Sequence, residues 1–305
     1  MRPGDTVGLI AASGPVAKPG ALQKAIDAVE ALGFCIKLGA HAEKVRGFLA
    51  GSDEERLSDL HAAFADDTID GIFCLKGGYG LHRIVEQIDV NIIRANPKIL
   101  AGYSDVTALH LLLNQRAGLV SLHTPMPASD FIYGAGEFTM THFMQCVTST
   151  QPLGQLDNPP DCPRQTLLPG KAQGVLVGGN LSLIGQSMGT PNEIDTMEKI
   201  LFFEDVHEEP YRLDCVLTQL HNAGKLAGCA GVIVGDLRPP EKWETDPSLT
   251  AEQVLADFLL PLNVPVLAGF QAGHCEPTLS FPLGVEVELD ASNKTVTVLE
   301  AACVE

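Results

Sequence analysis

"ILAGYSDVTALHLLLNQRAG", residues 99–118, opens as an apolar run, passes a glycine–tyrosine–serine–aspartate joint, and closes with apolar positions recurring at three and four. An extended segment that turns at once into an amphipathic helix is the repeating unit of a helix-covered sheet. Two such units precede it. "DTVGLIAASGP" reads as a strand entering a glycine turn and "GALQKAIDAVEALG" as a helix. "ERLSDLHAAFAD" is helix, "IDGIFCLKGGYG" a buried strand running into a glycine loop, and "LHRIVEQID" helix again. The strands are apolar throughout instead of at every second residue, which predicts burial on both faces and parallel pairing.

Composition shifts near residue 150, where "TSTQPLGQLDNPPDCPRQTLLPG" gathers proline, glycine and polar residues that break regular structure. The sequence therefore predicts an α/β N-terminal domain over 1–150, a linker over 151–170, and a C-terminal domain over 171–305. That second domain reads as mixed α and β and richer in strand. It ends in "GVEVELDASNKTVTVLEA", two alternating segments around an Asp/Asn-rich turn, the pattern of a hairpin with one wet face.

The chain of 305 residues is 45% apolar, enough for a substantial core, and carries 38 acidic against 20 basic residues, a formal charge of −18. No basic stripe is present to neutralise a phosphate backbone, so nucleic acid is not expected as a partner. No apolar stretch reaches the ~20 residues of a spanning helix, and the N-terminus lacks the pattern of a signal peptide. A soluble cytoplasmic protein without a membrane partner is expected. Its eight cysteines are scattered with no CxxC pair, and its nine histidines form no HExxH. Neither a disulfide framework nor a metal site is expected.

In open α/β sheets ligands bind beyond the carboxyl ends of the strands. Four places there carry polar residues: "KGGYG", "YSD", "ED" after "ILFF", and "GH" after "VLAGFQA". Ser104 stands where strand turns into helix, near the positive helix end, with the Asp105 amide following it. That placement suits a nucleophile beside an oxyanion donor. It equally suits a helix cap, and the last glycine of a GxSxG elbow is replaced by Val106. A serine needs a base and the base an orienting group. His274 sits in a glycine-rich turn, and Glu204 follows aromatic residues that would desolvate it; Asp205 competes for the same role. "KGGYG", Lys76 to Gly80, exposes successive amides that could donate to an oxyanion, cradle a phosphate, or simply turn the chain.

Taken together, "KGGYG", "AGYSDVTAL", "GGNLSLIGQSMGT", "LFFEDVHEEPYRLDCVLTQLHNAG" and "GFQAGHCEPTLSFPLG" occur here in one order, and over nearly its whole length the chain resembles the LD-carboxypeptidase family. These are serine peptidases of the muramoyl-tetrapeptide carboxypeptidase and microcin-immunity type. The resemblance implies a flavodoxin-like, class I amidotransferase-like parallel-sheet N-terminal domain joined to a mixed domain, with the site in the cleft between them, whose closing would bring its residues together. It implies Ser104 as nucleophile, His274 as base and Glu204 as the orienting carboxylate, with oxyanion donors at Asp105 and Gly78. It further implies no cofactor, a murein tetrapeptide as the small peptide substrate, release of its terminal D-Ala during peptidoglycan recycling, and a homodimer.

Lys76, Arg83 and Arg212 are candidates for the substrate carboxylate, and Tyr79 is a further binding candidate. The alternative within the family is cleavage of a peptidyl or acyl nucleotide antibiotic, for which Trp243 could stack on the base. Outside it, the two lobes would act as a non-catalytic clamp on a small anion, or Cys275 would serve as a thiol nucleophile.

Overall fold

The computed structural model describes residues 1–240 and 246–303. Chain order in the first half follows the apolar runs: β1 (Thr6–Ile10), α1 (Ala21–Glu30), β2 (Cys35–Leu38), α2 (Asp53–Ala65), β3 (Gly71–Cys74), α3 (Val90–Ala95), β4 (Ile99–Gly102), α4 (Thr107–Leu112), β5 (Ser121–His123) and α5 (Glu137–Thr148). Helix α1 buries Ala21, Ala25 and Val29, one stripe at four-residue spacing. Helix α2 starts on a reciprocal Ser52–Glu55 capping box, with three acids in its first turn where the helix dipole favours them. The segment "LHRIVEQID" forms two short 3₁₀ turns, Leu81–Arg83 and Val85–Gln87, instead of the expected helix. Leu81, Ile84, Val85 and Ile88 are all buried. The apolar pattern was sound, but the stretch ends almost at once at Asp89, which caps α3, so no longer helix can propagate.

The second half adds β6 (Gly154–Gln155), β7 (Gln165–Leu168), β8 (Lys171–Asn180), α6 (Leu181–Ser187), β9 (Ile200–Val206), α7 (Pro210–Asn222), β10 (Gly231–Arg238), α8 (Ala251–Leu259), β11 (Val266–Ala268), β12 (Phe281–Leu283), β13 (Glu286–Asp290) and β14 (Thr295–Val298). Among the described residues two sheets form. Six strands run in the order β12-β5-β4-β3-β1-β2, and eight in the order β6-β14-β13-β8-β9-β10-β11-β7. In the first, β1 to β5 are parallel and covered by helices. In the second, β8 to β11 are parallel, while β13, β14 and β6 on one flank and β7 on the other are antiparallel. The architecture is thus a parallel-sheet α/β lobe joined to a mixed, strand-rich lobe. No helix among the described residues is long and apolar enough to cross a membrane.

Two features depart from a simple pair of beads. Residues 151–170, read above as a linker, contribute β6 and β7, both at edges of the second sheet, where proline and short length are tolerated. Strand β12, far along the chain, pairs antiparallel with β5 of the first sheet through Phe281 and His123. Yet Phe281 and Leu283 pack into the core of the second lobe, against Phe202, Ile233 and Phe270. Helix α4 is shared in the same way. All six of its residues are buried, with Ala108, Leu109 and Leu112 in the first lobe's core and Leu111 in the second's. An amphipathic helix with a wet face was expected; burial all round is the result of its lying between two lobes.

Phe281→Ala should therefore cost about 3–5 kcal/mol, the range for deleting a buried phenyl group. Denaturant unfolding at constant m-value checks this. A loss under about 1 kcal/mol would show that the strand is not a shared core element.

Candidate active site

Strand β4 ends at Gly102, and Ser104 then takes a left-handed backbone, φ +64°, before a 3₁₀ turn leads into α4. A serine in that region is strained by of order 1–3 kcal/mol, and the strain lifts its hydroxyl clear of the turn as a nucleophile elbow does. The glycine loop comes against it. A Cβ on Gly77 would stand 2.8 Å from Ser104 Cβ and 3.0 Å from its Oγ, so only glycine lets that backbone approach. The same imagined Cβ lies 3.5 Å from the Asp105 nitrogen, which places the loop and that amide on one side of the hydroxyl.

The loop is held from two directions. The buried Asp105 carboxylate accepts the Leu81 amide at 2.9 Å, and the fully buried Arg56 guanidinium lies against Gly80 while donating to Ala12 O at 2.7 Å and to Asp53 at 2.5 Å. Below the elbow, His110 spans from Ser121 Oγ to Gly102 O. Burial lowers its pKa to about 4, so it serves there as a neutral strut.

Ser104 Oγ lies 3.1 Å from His274 Nε2, and His274 Nδ1 lies 2.7 Å from Glu204 Oε2. The three groups lie within hydrogen-bond reach of one another. Glu204 is fully buried; it accepts from the His274 ring, from the His274 amide at 3.3 Å and from Asn180 Nδ2 at 3.2 Å. A buried carboxylate is stable only with such donors. Gly273 lets the turn sit directly on the carboxylate, since a Cβ there would fall 2.5 Å from Oε2.

Asp205 is excluded from the His274 contact by strand geometry. Neighbouring residues on β9 point to opposite faces, and Asp205 turns towards α6, accepting from Ser182 N, Ser182 Oγ and Asn180 Nδ2. That alternation was available in the sequence as a way to choose between the two acids.

Burial works against a charged His274, but the hydrogen bond its ring donates to Glu204, reinforced by the charges of Glu204, Asp205 and Asp130, raises its pKa above the ordinary 6.5. The Tyr103 ring lies 4.8 Å from the imidazole, and its hydroxyl donates to Asp130 at 3.1 Å. Tyr103, Asp130, Asn180 and Arg56 were not singled out from sequence, because nothing local marks a residue that acts through a partner dozens of positions away.

Of the expected binding residues, Lys76, Gly78 and Tyr79 line a recess of about 560 Å³ beside the elbow. Among the described residues the Gly78 amide and the Lys76 ammonium have no hydrogen-bond partner. Arg212 is exposed and paired with Glu208 at 2.6 Å, and Arg83 is paired with Asp53 at 2.8 Å. Neither arginine joins that lining. Cys275 is buried, and burial, aided by the charge of Asp236, pushes its thiol up to about 12. A thiolate nucleophile is disfavoured there. Trp243 lies outside the described residues. No group of three or more His, Cys, Asp or Glu able to hold a metal ion occurs among the described residues.

Residues 7–124 match the LD-carboxypeptidase N-terminal domain and residues 173–289 the LD-carboxypeptidase C-terminal domain. A probable murein peptide carboxypeptidase of Bacillus subtilis is 42% identical over 311 residues, covering 100% of this chain and 94% of its own length. A crystal structure of muramoyltetrapeptide carboxypeptidase from Oxalobacter formigenes superposes with a TM-score of 0.84 at 27% identity, covering 98% of this chain and 100% of that one. MccF in complex with glutamyl sulfamoyl guanosine shares the fold, with a TM-score of 0.90 at 22% identity over 100% of this chain and 98% of that one.

Since the His274 pKa is raised on folding, the Glu204–His274 contact stabilises the fold fully below the unfolded value and fades as pH rises through the folded one. Glu204→Gln keeps the shape and removes the charge, leaving burial dominant. Nitrogen-detected NMR of the imidazole should show titration above 6.5 in the native protein and below it in the variant. A native value below 6.5 would contradict this electrostatic account.

Proposed function

The chain belongs to the LD-carboxypeptidase family and is a serine-type carboxypeptidase; from that premise we propose that it releases terminal D-Ala from murein tetrapeptide through a Ser104–His274–Glu204 triad. The observation that carries this reading is the continuous hydrogen-bonded chain from Ser104 Oγ through the imidazole to a buried carboxylate. Ser104 Oγ attacks the carbonyl of the bond joining an L-centre to the terminal D-residue. His274 Nε2 takes the serine proton and delivers it to the departing amine. The tetrahedral oxyanion rests on the amides of Asp105 and Gly78, each donor lowering the barrier by about 2.7–4 kcal/mol. Glu204 holds the ring in the tautomer that leaves Nε2 free to accept, and steadies the imidazolium without itself taking the proton. Water, activated by the same base, then frees the acyl group from Ser104.

The murein substrate is favoured over a nucleotide antibiotic by the 42% identical relative, whose name gives a murein peptide, whereas the likeness to MccF concerns the fold. Lys76 is the cation best placed for the terminal carboxylate, being unpaired and part of the loop that abuts Ser104. The reading extends to cytoplasmic peptidoglycan recycling by a homodimer on the strength of the family resemblance.

Incubation with L-Ala-γ-D-Glu-meso-diaminopimelate-D-Ala should liberate free D-Ala, and Ser104→Ala should lower kcat by at least about 10⁴-fold. The base must be neutral to act, so kcat/KM should climb with pH through an inflection above 6.5. Release that survives in the Ser104 variant would overturn the mechanism in favour of another nucleophile, and absence of release with the native protein would leave a non-catalytic clamp.

A further inference from the structure

The recess beside the glycine loop encloses about 560 Å³, within the range of sites that hold drug-sized ligands. Two aromatic groupings line it. Phe48 and Tyr79 meet edge to face with ring centroids 5.6 Å apart. Lys18 Nζ donates to the Tyr133 hydroxyl at 2.7 Å and stands 4.9 Å from that ring's centroid. The three rings are exposed at 67%, 44% and 61% for Phe48, Tyr79 and Tyr133, which is costly for apolar area unless a ligand covers it.

The charged residues of the lining are Lys18 and Lys76, with no acid among its residues, in a chain whose formal charge is −18. Neither lysine has a carboxylate partner among the described residues. The site therefore suits an anion carried on a body with apolar surface.

A carboxypeptidase discards one residue on the leaving side of the scissile bond, and the neighbourhood of Lys76 suffices for it, so a space of this size also takes in part of the acyl side of the chain being cut. Resting on the function proposed above, we infer that the recess holds the upstream part of the peptide and that Lys18, steadied by Tyr133, pairs with a free carboxylate there. Lys18 is then a specificity-determining residue, and the enzyme selects peptides with an anionic side group before the cleavage point. In a murein tetrapeptide that chemistry has two sources, the α-carboxylate of the γ-linked D-glutamate and the second carboxylate of diaminopimelate.

Three peptides separate them: the parent L-Ala-γ-D-Glu-meso-diaminopimelate-D-Ala, its D-isoglutamine analogue, and the analogue with L-lysine in place of diaminopimelate. D-Ala release is measured with the native enzyme, Lys18→Met, Lys18→Arg and Tyr133→Phe. One neutralised peptide should lose about tenfold in kcat/KM with native enzyme, chiefly through KM. Lys18→Met should show the same loss on the parent and become indifferent to that neutralisation. Lys18→Arg should retain most of the discrimination, Tyr133→Phe should blunt it, and all variants should unfold at the native temperature.

Equal kcat/KM on all three peptides with native enzyme, or undiminished discrimination in Lys18→Met, overturns the inference. If native enzyme releases D-Ala from none of them, the proposed reaction is what fails. Calorimetric binding of the three peptides to Ser104→Ala, with and without Lys18→Met, then decides the role of Lys18 by the same non-additivity.

Discussion

A carboxylate taken wholly out of water is the constraint on which the rest of this structure turns. Glu204 follows four aliphatic and aromatic residues in its strand, and nothing about that run favours a charge. Its carboxylate accepts from three donors on two separate pieces of chain: the Asn180 side-chain amide at the end of β8, and the backbone amide and imidazole of His274 in the turn after β11. Removing any one leaves an underpaired buried charge, among the most expensive defects a core can carry. The requirement fixes the position of the turn, the turn fixes the ring, and the ring's second nitrogen then has one direction left, towards Ser104.

The hydroxyl meets that ring because the lobes are fastened to each other in more than one way. Helix α4, which follows Ser104, contributes side chains to both cores. Thr107 on it accepts the Asn180 amide at 2.9 Å, so the elbow and the support of Glu204 share one hydrogen bond. Strand β12 hydrogen-bonds to one sheet while its phenylalanine and leucine pack under the other. His123, opposite Phe281, stacks on it with centroids 5.1 Å apart. Geometry of this kind is set by core packing, and cores are bistable at most, not freely deformable. The two lobes are thus tied through shared core residues and a shared strand at the place where the hydroxyl meets the ring.

Much of this was legible in the residues. Apolar runs and glycine turns marked out the parallel lobe, and the strand-end rule marked Ser104, Glu204 and His274 among its candidates, to which the family resemblance attached roles. Three kinds of feature were not legible. The 3₁₀ turns after Gly80 have a helical apolar spacing, and what shortens them is the nearby cap at Asp89. The edge strands in 151–170 and the crossing of β12 depend on pairing between distant segments, which local composition does not encode. The supports of the site, Asn180, Asp130 with Tyr103, and Arg56, are ordinary polar residues whose meaning lies only in what they touch. Arg212 shows the reverse failure: its position beside a promising motif was suggestive, yet Glu208 one turn earlier claims it.

The fastening of the two lobes has a consequence for how the protein comes into being. Ser104 and His274 are 170 positions apart, and β12 lies beyond both. During synthesis the elbow can fold onto its own sheet long before the imidazole exists, and the edge of that sheet stays bare until nearly the whole polypeptide has left the ribosome. A chain that stops short of residue 274 carries a strained serine with no imidazole beside it. The contact between Ser104 and His274 therefore forms at about the stage when β12 covers the β5 side of the first sheet, with nearly all of the chain already made.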